Sequence, residues 1–380
     1  MIPRTVYEPE HELFRESVRK FLETEVEPYH QAWEKAGQVD KALWQKAGAQ
    51  GFLVPGAPEQ YGGVGVDYRY NSIINEEVAR GGHTGIGWSL HSDISVPYIL
   101  NFGSEEQKEK YIPGCISGEI VTAIAMTEPG AGSDLQGIKT TAIRDGDDFI
   151  INGSKTFITN GQHADLVVVV AKTDPSKGAA GTSLFLVEAN TPGFEKGTNL
   201  DKLGMKAQDT SELFFNDVRV PGNALLGEEG KGFVYLMQEL PQERLQIAEV
   251  GIASAETALD YTTEYVSERK AFGKSIADFQ NTQFKLAEMD TEISVCRVFI
   301  DRCLELHLDG KLDPVTAAKA KLHATELQGR VLDQCLQLHG GYGFMWEYPI
   351  ARAYADSRVQ RIYGGTSEVM KLIIGRSRLN

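Results

Sequence analysis

Residues 125–134 read Ala125-Met126-Thr127-Glu128-Pro129-Gly130-Ala131-Gly132-Ser133-Asp134, and the meaning of this run decides the fold. Gly130 and Gly132 have the first spacing of a dinucleotide-binding fingerprint. That fingerprint needs a further glycine at position 135, where Leu135 stands, and a strand–turn–helix unit around it. Neither is found. The other reading is a loop of small residues whose backbone N–H groups approach a phosphate or an anionic ring closely. Taken alone, the run also fits an ordinary turn loop.

Outward from this run the chain changes character on each side. Upstream, Leu13, Phe14, Val18, Phe21, Leu22 and Val26 recur at helical spacing, with Pro28 as the stop. Ala42–Gln50, Asn71–Arg80 and Ser104–Ile116 read the same way, separated by joints such as Tyr61-Gly62-Gly63. Downstream, Phe149–Lys155 carries Asn152-Gly153 between strand-like flanks, a hairpin signal. Leu166–Ala171, Ser183–Glu188 and Glu212–Val220 are further β-rich runs. After Gly232 the helical period returns in long segments near 233–268, 279–309, 314–339 and 350–378. Leu286, Met289, Ile293, Cys296, Ile300 and Cys303 alternate spacings of three and four, a packed seam. Asp313-Pro314 starts one helix and Gly340-Gly341 closes it. The expected architecture is α+β and multidomain: an N-terminal α-helical domain (1–121), a middle β domain (122–230) and a C-terminal four-helix bundle (231–380).

The 380 residues leave room for two or three domains, and 42% hydrophobic with 24% charged residues is ordinary for a globular protein. A net charge of −15 without a basic run argues against nucleic-acid binding. The longest strictly apolar run, Leu166–Ala171, is far short of the ~20 residues of a membrane span. The charged stretch Tyr7–Arg19 contains no signal-peptide core, and an Arg-rich transit peptide is absent or already removed. A bacterial cytoplasm or, after processing, a mitochondrial matrix is expected. Cys115, Cys296, Cys303 and Cys335 form no paired framework, and Cys296 and Cys303, seven apart in a helical pattern, read as small buried hydrophobes. The eight histidines lack ligand spacing, so no metal site is expected.

Three further runs join the first: Arg269-Lys270-Ala271-Phe272-Gly273-Lys274, Gln337-Leu338-His339-Gly340-Gly341-Tyr342-Gly343, and Arg361-Ile362-Tyr363-Gly364-Gly365-Thr366-Ser367-Glu368. In this order, over essentially the whole chain, they resemble the acyl-CoA dehydrogenase family of flavoproteins. The resemblance implies a barrel-like middle domain, a homotetramer (a dimer of dimers) and one FAD per subunit reaching a neighbouring subunit. It also implies an acyl-CoA substrate and an electron-transfer flavoprotein as oxidant. By motif match, Met126 and Thr127 would hold the flavin ring edge, with Ile124 beside them. Gly132 and Ser133 would meet the phosphates, with Ser133 also on substrate. Phe157, Ile158 and Thr159 would lie beside the isoalloxazine, Phe157 replacing a common tryptophan. Arg269, Phe272 and Gln280 would grip the adenine half from a partner subunit. Gln337, Leu338, His339, Gly340 and Gly341, with Thr366, Ser367 and Glu368, would complete that cradle.

Many members of the family carry a catalytic glutamate where this chain has Gly364. Long-chain and isovaleryl-type members carry it on another helix, and Glu243 in Leu240-Pro241-Gln242-Glu243-Arg244-Leu245 matches that position. The resemblance is therefore strongest to long-chain members, and it makes Glu243 the base that removes the substrate α-proton. Burial would raise its pKa, and Arg244 would oppose the rise. Arg244 either holds the active-site loop or a substrate carbonyl, or forms a structural salt bridge. Gly364 would keep a backbone N–H for the thioester oxygen and leave side-chain space for Glu243. Pro241 should bend or end its helix, and Tyr235, about two turns before Glu243, would line the acyl-CoA channel. Trp88–Leu100 reads either as tunnel lining or as a buried packing helix. Two other readings stay open on the same fold: a flavin monooxygenase or oxidase, and a non-catalytic FAD-binding scaffold.

Overall fold

Six helices come first in the computed structural model, which describes residues 2–379: α1 (Pro9–Glu25), α2 (Glu27–Ala36), α3 (Ala42–Ala49), α4 (Arg69–Arg80), α5 (Val96–Phe102) and α6 (Glu105–Ser117). The stripe of α1 buries Val18 and Leu22. Pro28 does not end a helix. The break falls at Val26, and Pro28 sits in the first turn of α2, where a missing N–H leaves no bond unmade. A π-helical turn, Leu90–Ser95, leads into α5.

An eight-stranded sheet follows: β1 (Thr122–Ala125), β2 (Thr141–Asp145), β3 (Asp148–Thr159), β4 (Leu166–Lys172), β5 (Thr182–Glu188), β6 (Phe194–Asn199), β7 (Thr210–Pro221) and β8 (Leu225–Leu226). The strand order is β6-β7-β3-β2-β4-β5-β8, with β1 parallel to β4, and its two halves join at the single pair Thr141–Lys172. β4 is buried along its whole length because both its faces are covered. Leu166, Val168 and Val170 pack with Trp44, Trp88 and Tyr98 of the helical layer, whereas Val167 and Val169 join Phe149, Phe185 and Phe215.

Asn152-Gly153 is not a hairpin turn. β3 runs through it, and the chain reverses instead at Gly146, between β2 and β3. A Cβ at Gly153 would collide with Thr140, so the glycine serves a close approach of two backbones. Opposite it, β7 carries an extra residue, a bulge with Asp217 at φ 49°.

The remaining helices are α7 (Gly232–Glu268), α8 (Gln280–Leu308), α9 (Pro314–His339), α10 (Pro349–Ser357) and α11 (Ser367–Leu379); a small hairpin of β9 (Lys270–Ala271) and β10 (Lys274–Ser275) joins α7 to α8. The seam from Met289 to Cys303 lies in the bundle core with Leu286 at its edge, and all four cysteines are buried and free. Asp313 caps α9, accepting from the N–H groups of Val315 and Thr316 at 2.9 and 3.0 Å. The fourth long segment is two helices rather than one. The chain between α10 and α11 turns through Gly364 and Gly365, at φ 62° and 97°, values that an α-helix cannot hold.

The first and last helical layers are tied by a buried ion cluster. Glu76 of α4 is enclosed and accepts from Arg4 at 2.8 and 2.9 Å, Arg15 at 2.9 Å and Arg297 of α8 at 2.8 Å. Burial would raise the Glu76 pKa, but the charges of Arg297, Arg4 and Arg15 hold it well below the carboxylate range. No helix among the described residues is long and apolar enough to cross a membrane.

Candidate active site

Glu239, Glu243 and Ile247 recur every four residues and so share one face of α7. The helix continues through Pro241 instead of ending there. A proline removes one backbone hydrogen bond, and packing along this long helix outweighs that loss. α5 meets this face. Tyr98 Oη donates to Glu243 Oε1 at 2.9 Å, and Asn101 Nδ2 donates to Glu239 Oε1 at 2.8 Å. Gln242 Nε2 donates to the Asp93 carbonyl at 2.7 Å, pinning the π-helical turn to α7. Glu243 is 5% exposed, and its Oε2 has no hydrogen-bond partner among the described residues.

Burial pushes the Glu243 pKa up to about 7; the Tyr98 hydrogen bond lowers it, the Glu239 charge raises it and Arg244 lowers it. The contest between burial and Arg244 thus goes to burial. Arg244 is itself buried, and burial lowers its pKa despite the opposing Glu243 charge. No carboxylate among the described residues pairs with it, and its Nε has no partner. Within this chain Arg244 thus forms no salt bridge among the described residues.

Gly364 has the left-handed φ that favours glycine, but the space beside it is not left for Glu243. A Cβ there would collide with Ile247 Cδ1, one helical turn beyond Glu243. The neighbouring Gly365 carbonyl accepts from the buried Lys321 Nζ at 2.6 Å, which fixes the loop against α9. Tyr235 is half-buried near the start of α7. Its ring stacks on Phe102 at 4.1 Å, and its hydroxyl accepts from the Glu228 N–H at 3.0 Å. Trp88–Leu100 is largely buried, and Tyr98 within it makes the hydrogen bond to Glu243.

The run at 125–134 leaves β1, where Ile124 is buried, and is fastened from beneath by a lysine. Lys155 of β3 donates to the Met126 carbonyl at 3.0 Å and to Glu128 Oε1 at 2.9 Å. Glu128 also accepts from the N–H groups of Lys139 and Thr140 at 2.6 and 2.9 Å, and Thr127 O accepts from Thr156 N at 2.9 Å. Burial pushes the Lys155 pKa down to about 8 although Glu128 acts against it.

Between Lys155 and Ile158 the extra residue of a second bulge lies on β3. Phe157 there takes φ 59° and turns outward, 67% exposed, while Ile158 points into the core and Thr159 is half-buried. An exposed aromatic ring in a strained conformation beside a fastened loop is a flat platform for a ligand. Gly130 and Gly132 have nothing within 4 Å of where a Cβ would stand, and Ser133 is exposed beside them.

A cavity of about 500 Å³ lies where α7 and α9 end, lined by Tyr265, Arg269, Gln337, Leu338, His339, Gly340 and Gly341 among others. His339 stacks on Tyr265 at 4.1 Å and is held by the Cys335 carbonyl at 2.9 Å from Nδ1, which leaves its buried Nε2 without a partner. The Arg269 guanidinium lies 5.4 Å from the Tyr342 ring. Phe272, at φ 52° and 96% exposed, and the exposed Gln280 do not line this cavity. At the start of α11, Ser367 Oγ donates to Glu326 at 2.6 Å, Thr366 Oγ1 accepts from Val369 N at 3.2 Å, and Glu368 is exposed. Most of the expected residues thus fall in three places: the Met126–Ser133 loop with Phe157–Thr159, Glu243 on α7 with Gly364 against its neighbour Ile247, and the cavity at the ends of α7 and α9; Phe272, Gln280 and Thr366–Glu368 lie outside them.

Sequence reading missed Tyr98, Glu239, Lys155 and Lys321. A signal existed for Lys155, which has the same strand parity as the buried Phe149 and Ile151.

Helices, strands and helices follow in this order, and the long helix carries a buried carboxyl that makes one hydrogen bond, to Tyr98. Residues 8–119, 123–218 and 230–379 match the N-terminal, middle and C-terminal domains of acyl-CoA dehydrogenases, and the chain belongs to that family. It is 57% identical over 375 residues to the mitochondrial long-chain specific acyl-CoA dehydrogenase of Rattus norvegicus, covering 98% of this chain and 87% of the relative. The crystal structure of an acyl-CoA dehydrogenase from Geobacillus kaustophilus superposes with a TM-score of 0.97 at 52% identity, over 99% of this chain and all of that one. A glutaryl-CoA dehydrogenase from Mycobacterium smegmatis, solved in complex with FADH2, superposes at 0.92 and 30% identity, over 98% and 95% of the two chains.

Proposed function

We propose that this protein oxidises a saturated acyl-CoA, of long or branched chain, to the trans-2-enoyl-CoA, with Glu243 as the base and FAD as its cofactor. The observation that carries the reading is the buried Glu243 carboxyl, with one oxygen anchored and the other free. The 57% identity to a long-chain relative supports the chain-length class.

The residues fit a flavin dinucleotide. Open glycine backbone at Gly130 and Gly132 suits a pyrophosphate, Phe157 offers a ring face, and His339, whose Nε2 has no partner, lines a cavity together with Arg269. Met126, Thr127, Ile158 and Thr159 would hold the ring, and Gly132 and Ser133 the phosphates. Arg269, Phe272 and Gln280, with Gln337–Gly341 and Thr366–Glu368, would hold the adenine half from a neighbouring subunit of a homotetramer. Phe272, 96% exposed on its own chain, is accounted for by such a neighbour. When bound, FAD supplies the two-electron acceptor for the substrate β-hydride, and an electron-transfer flavoprotein would take the electrons onward.

Glu243 takes the α-proton. The Gly364 N–H, held in place by the fastened Gly364–Gly365 turn, donates to the thioester oxygen as negative charge develops there. Arg244, buried beside the base without a carboxylate partner, holds its position through the helix and supplies positive potential to the developing enolate.

A base must be ionised to act, and burial sets the Glu243 ionisation near pH 7. kcat/KM in the free enzyme should therefore rise with pH to a plateau above about 7 and fall about tenfold per unit below it. A profile flat down to the ordinary carboxylate range would remove Glu243 from the role.

A further inference from the structure

We infer that Tyr98 is a positioning residue for the base: its hydroxyl, donating to Glu243 Oε1 at 2.9 Å, fixes the carboxylate so that Oε2 is the oxygen that accepts the proton. The inference rests on the reading of Glu243 as the base.

A carboxylate at the end of a glutamate side chain rotates freely unless something holds it. Among the described residues Tyr98 is the one hydrogen-bond donor that reaches it. The other charged groups facing Glu243 are otherwise placed. Glu239, on the same helix, is a like charge and is engaged by Asn101; Arg244 makes no ion pair among the described residues. Tyr98 is itself rigid. It is fully buried, and its ring centroid lies 6.2 Å from that of Phe102.

The backbone that carries Tyr98 is fastened to α7 on both sides: Asp93 O to Gln242, and Asn101 to Glu239. With the Tyr98 hydroxyl, three hydrogen bonds join this segment to the helix of the base. Burial keeps the phenol protonated far above working pH, so it stays a donor throughout. Holding one oxygen leaves the other with a single direction, as a preorganised base requires. A bare packing role would need only the ring. The hydroxyl directed at the carboxylate is the additional feature.

The test uses the flavin-loaded enzyme with Tyr98→Phe, alongside Glu243→Gln. Tyr98→Phe is expected to lower kcat about tenfold with KM changed less than about twofold, because a loosened base reacts from fewer orientations. The lost hydrogen bond favoured the carboxylate, so the acidic limb of the kcat/KM profile should move up by about one pH unit. Fluorotyrosine incorporated at Tyr98 keeps the packing and makes a stronger donor, so it should move the limb down and serves if the phenylalanine variant folds poorly. A limb unmoved in both variants would overturn the positioning role. If Glu243→Gln were equally unaffected, the base assignment would fall as well; inactivity of that variant alone keeps the base and rejects Tyr98.

Discussion

Glu243→Gln protein should fold, bind flavin and bind acyl-CoA, yet turn over about 10³-fold more slowly than wild type. Glutamine has the same shape, and its carbonyl oxygen can still accept from Tyr98 Oη where Oε1 does now. The change also replaces a buried group that is poised between charged and neutral with one that is always neutral, so the fold has no new charge to bury. What is lost is the lone pair of a base. KM should stay within a few-fold, because that lone pair acts on the transition state and little on the bound substrate. Steady-state kinetics with an artificial electron acceptor, together with the flavin content of the purified variant, check this. A variant retaining more than a tenth of wild-type kcat would move the base elsewhere.

The second large effect concerns stability. Glu76→Gln should destabilise the protein by about 3 kcal/mol, read by chemical denaturation. Glu76 accepts from three arginines in an enclosed site, and the substitution leaves their charges facing a neutral amide. The loss stays near the low end of the range for broken buried pairs because each arginine keeps another carboxylate. Arg4 keeps Asp301, Arg15 keeps Glu77 and Arg297 keeps Glu256. The folded-state pKa of Glu76 is depressed, so this stabilisation is fully present above the unfolded carboxylate pKa and is lost as pH falls through the lower folded value. The difference between wild type and Glu76→Gln should accordingly shrink in acid. Equal stability of the two proteins at neutral pH would show that the cluster contributes nothing net.

The order helices, strands, helices was legible because the hydrophobic period changes twice, near residues 121 and 232, and because Pro and Gly mark the joints. The seam Met289–Cys303 and the cap at Asp313 lie where local pattern put them. Asn152-Gly153 misled because the same dipeptide serves a hairpin turn or a close backbone approach, and the choice is made by Thr140 on the neighbouring strand. Pro241 does not end its helix, because tertiary packing overrides a local breaker.

In the candidate site, sequence pattern located Glu243 and the loops but not their surroundings. Tyr98 stands 145 residues from Glu243, and a contact of that separation leaves no periodic trace. Ile247 filling the space at Gly364 is likewise a fact of packing. Phe157 was located by motif, whereas its outward display depends on a one-residue bulge that reverses the side to which its strand parity assigns it.

The most direct test of the central claim is an anaerobic titration of the purified flavin-loaded protein with saturated acyl-CoAs of graded length and branching, followed by the visible absorbance of the flavin. Stoichiometric bleaching by long or branched acyl-CoAs, with the matching trans-2-enoyl-CoA recovered from the mixture, is the predicted result. A flavin that no acyl-CoA bleaches would contradict the account.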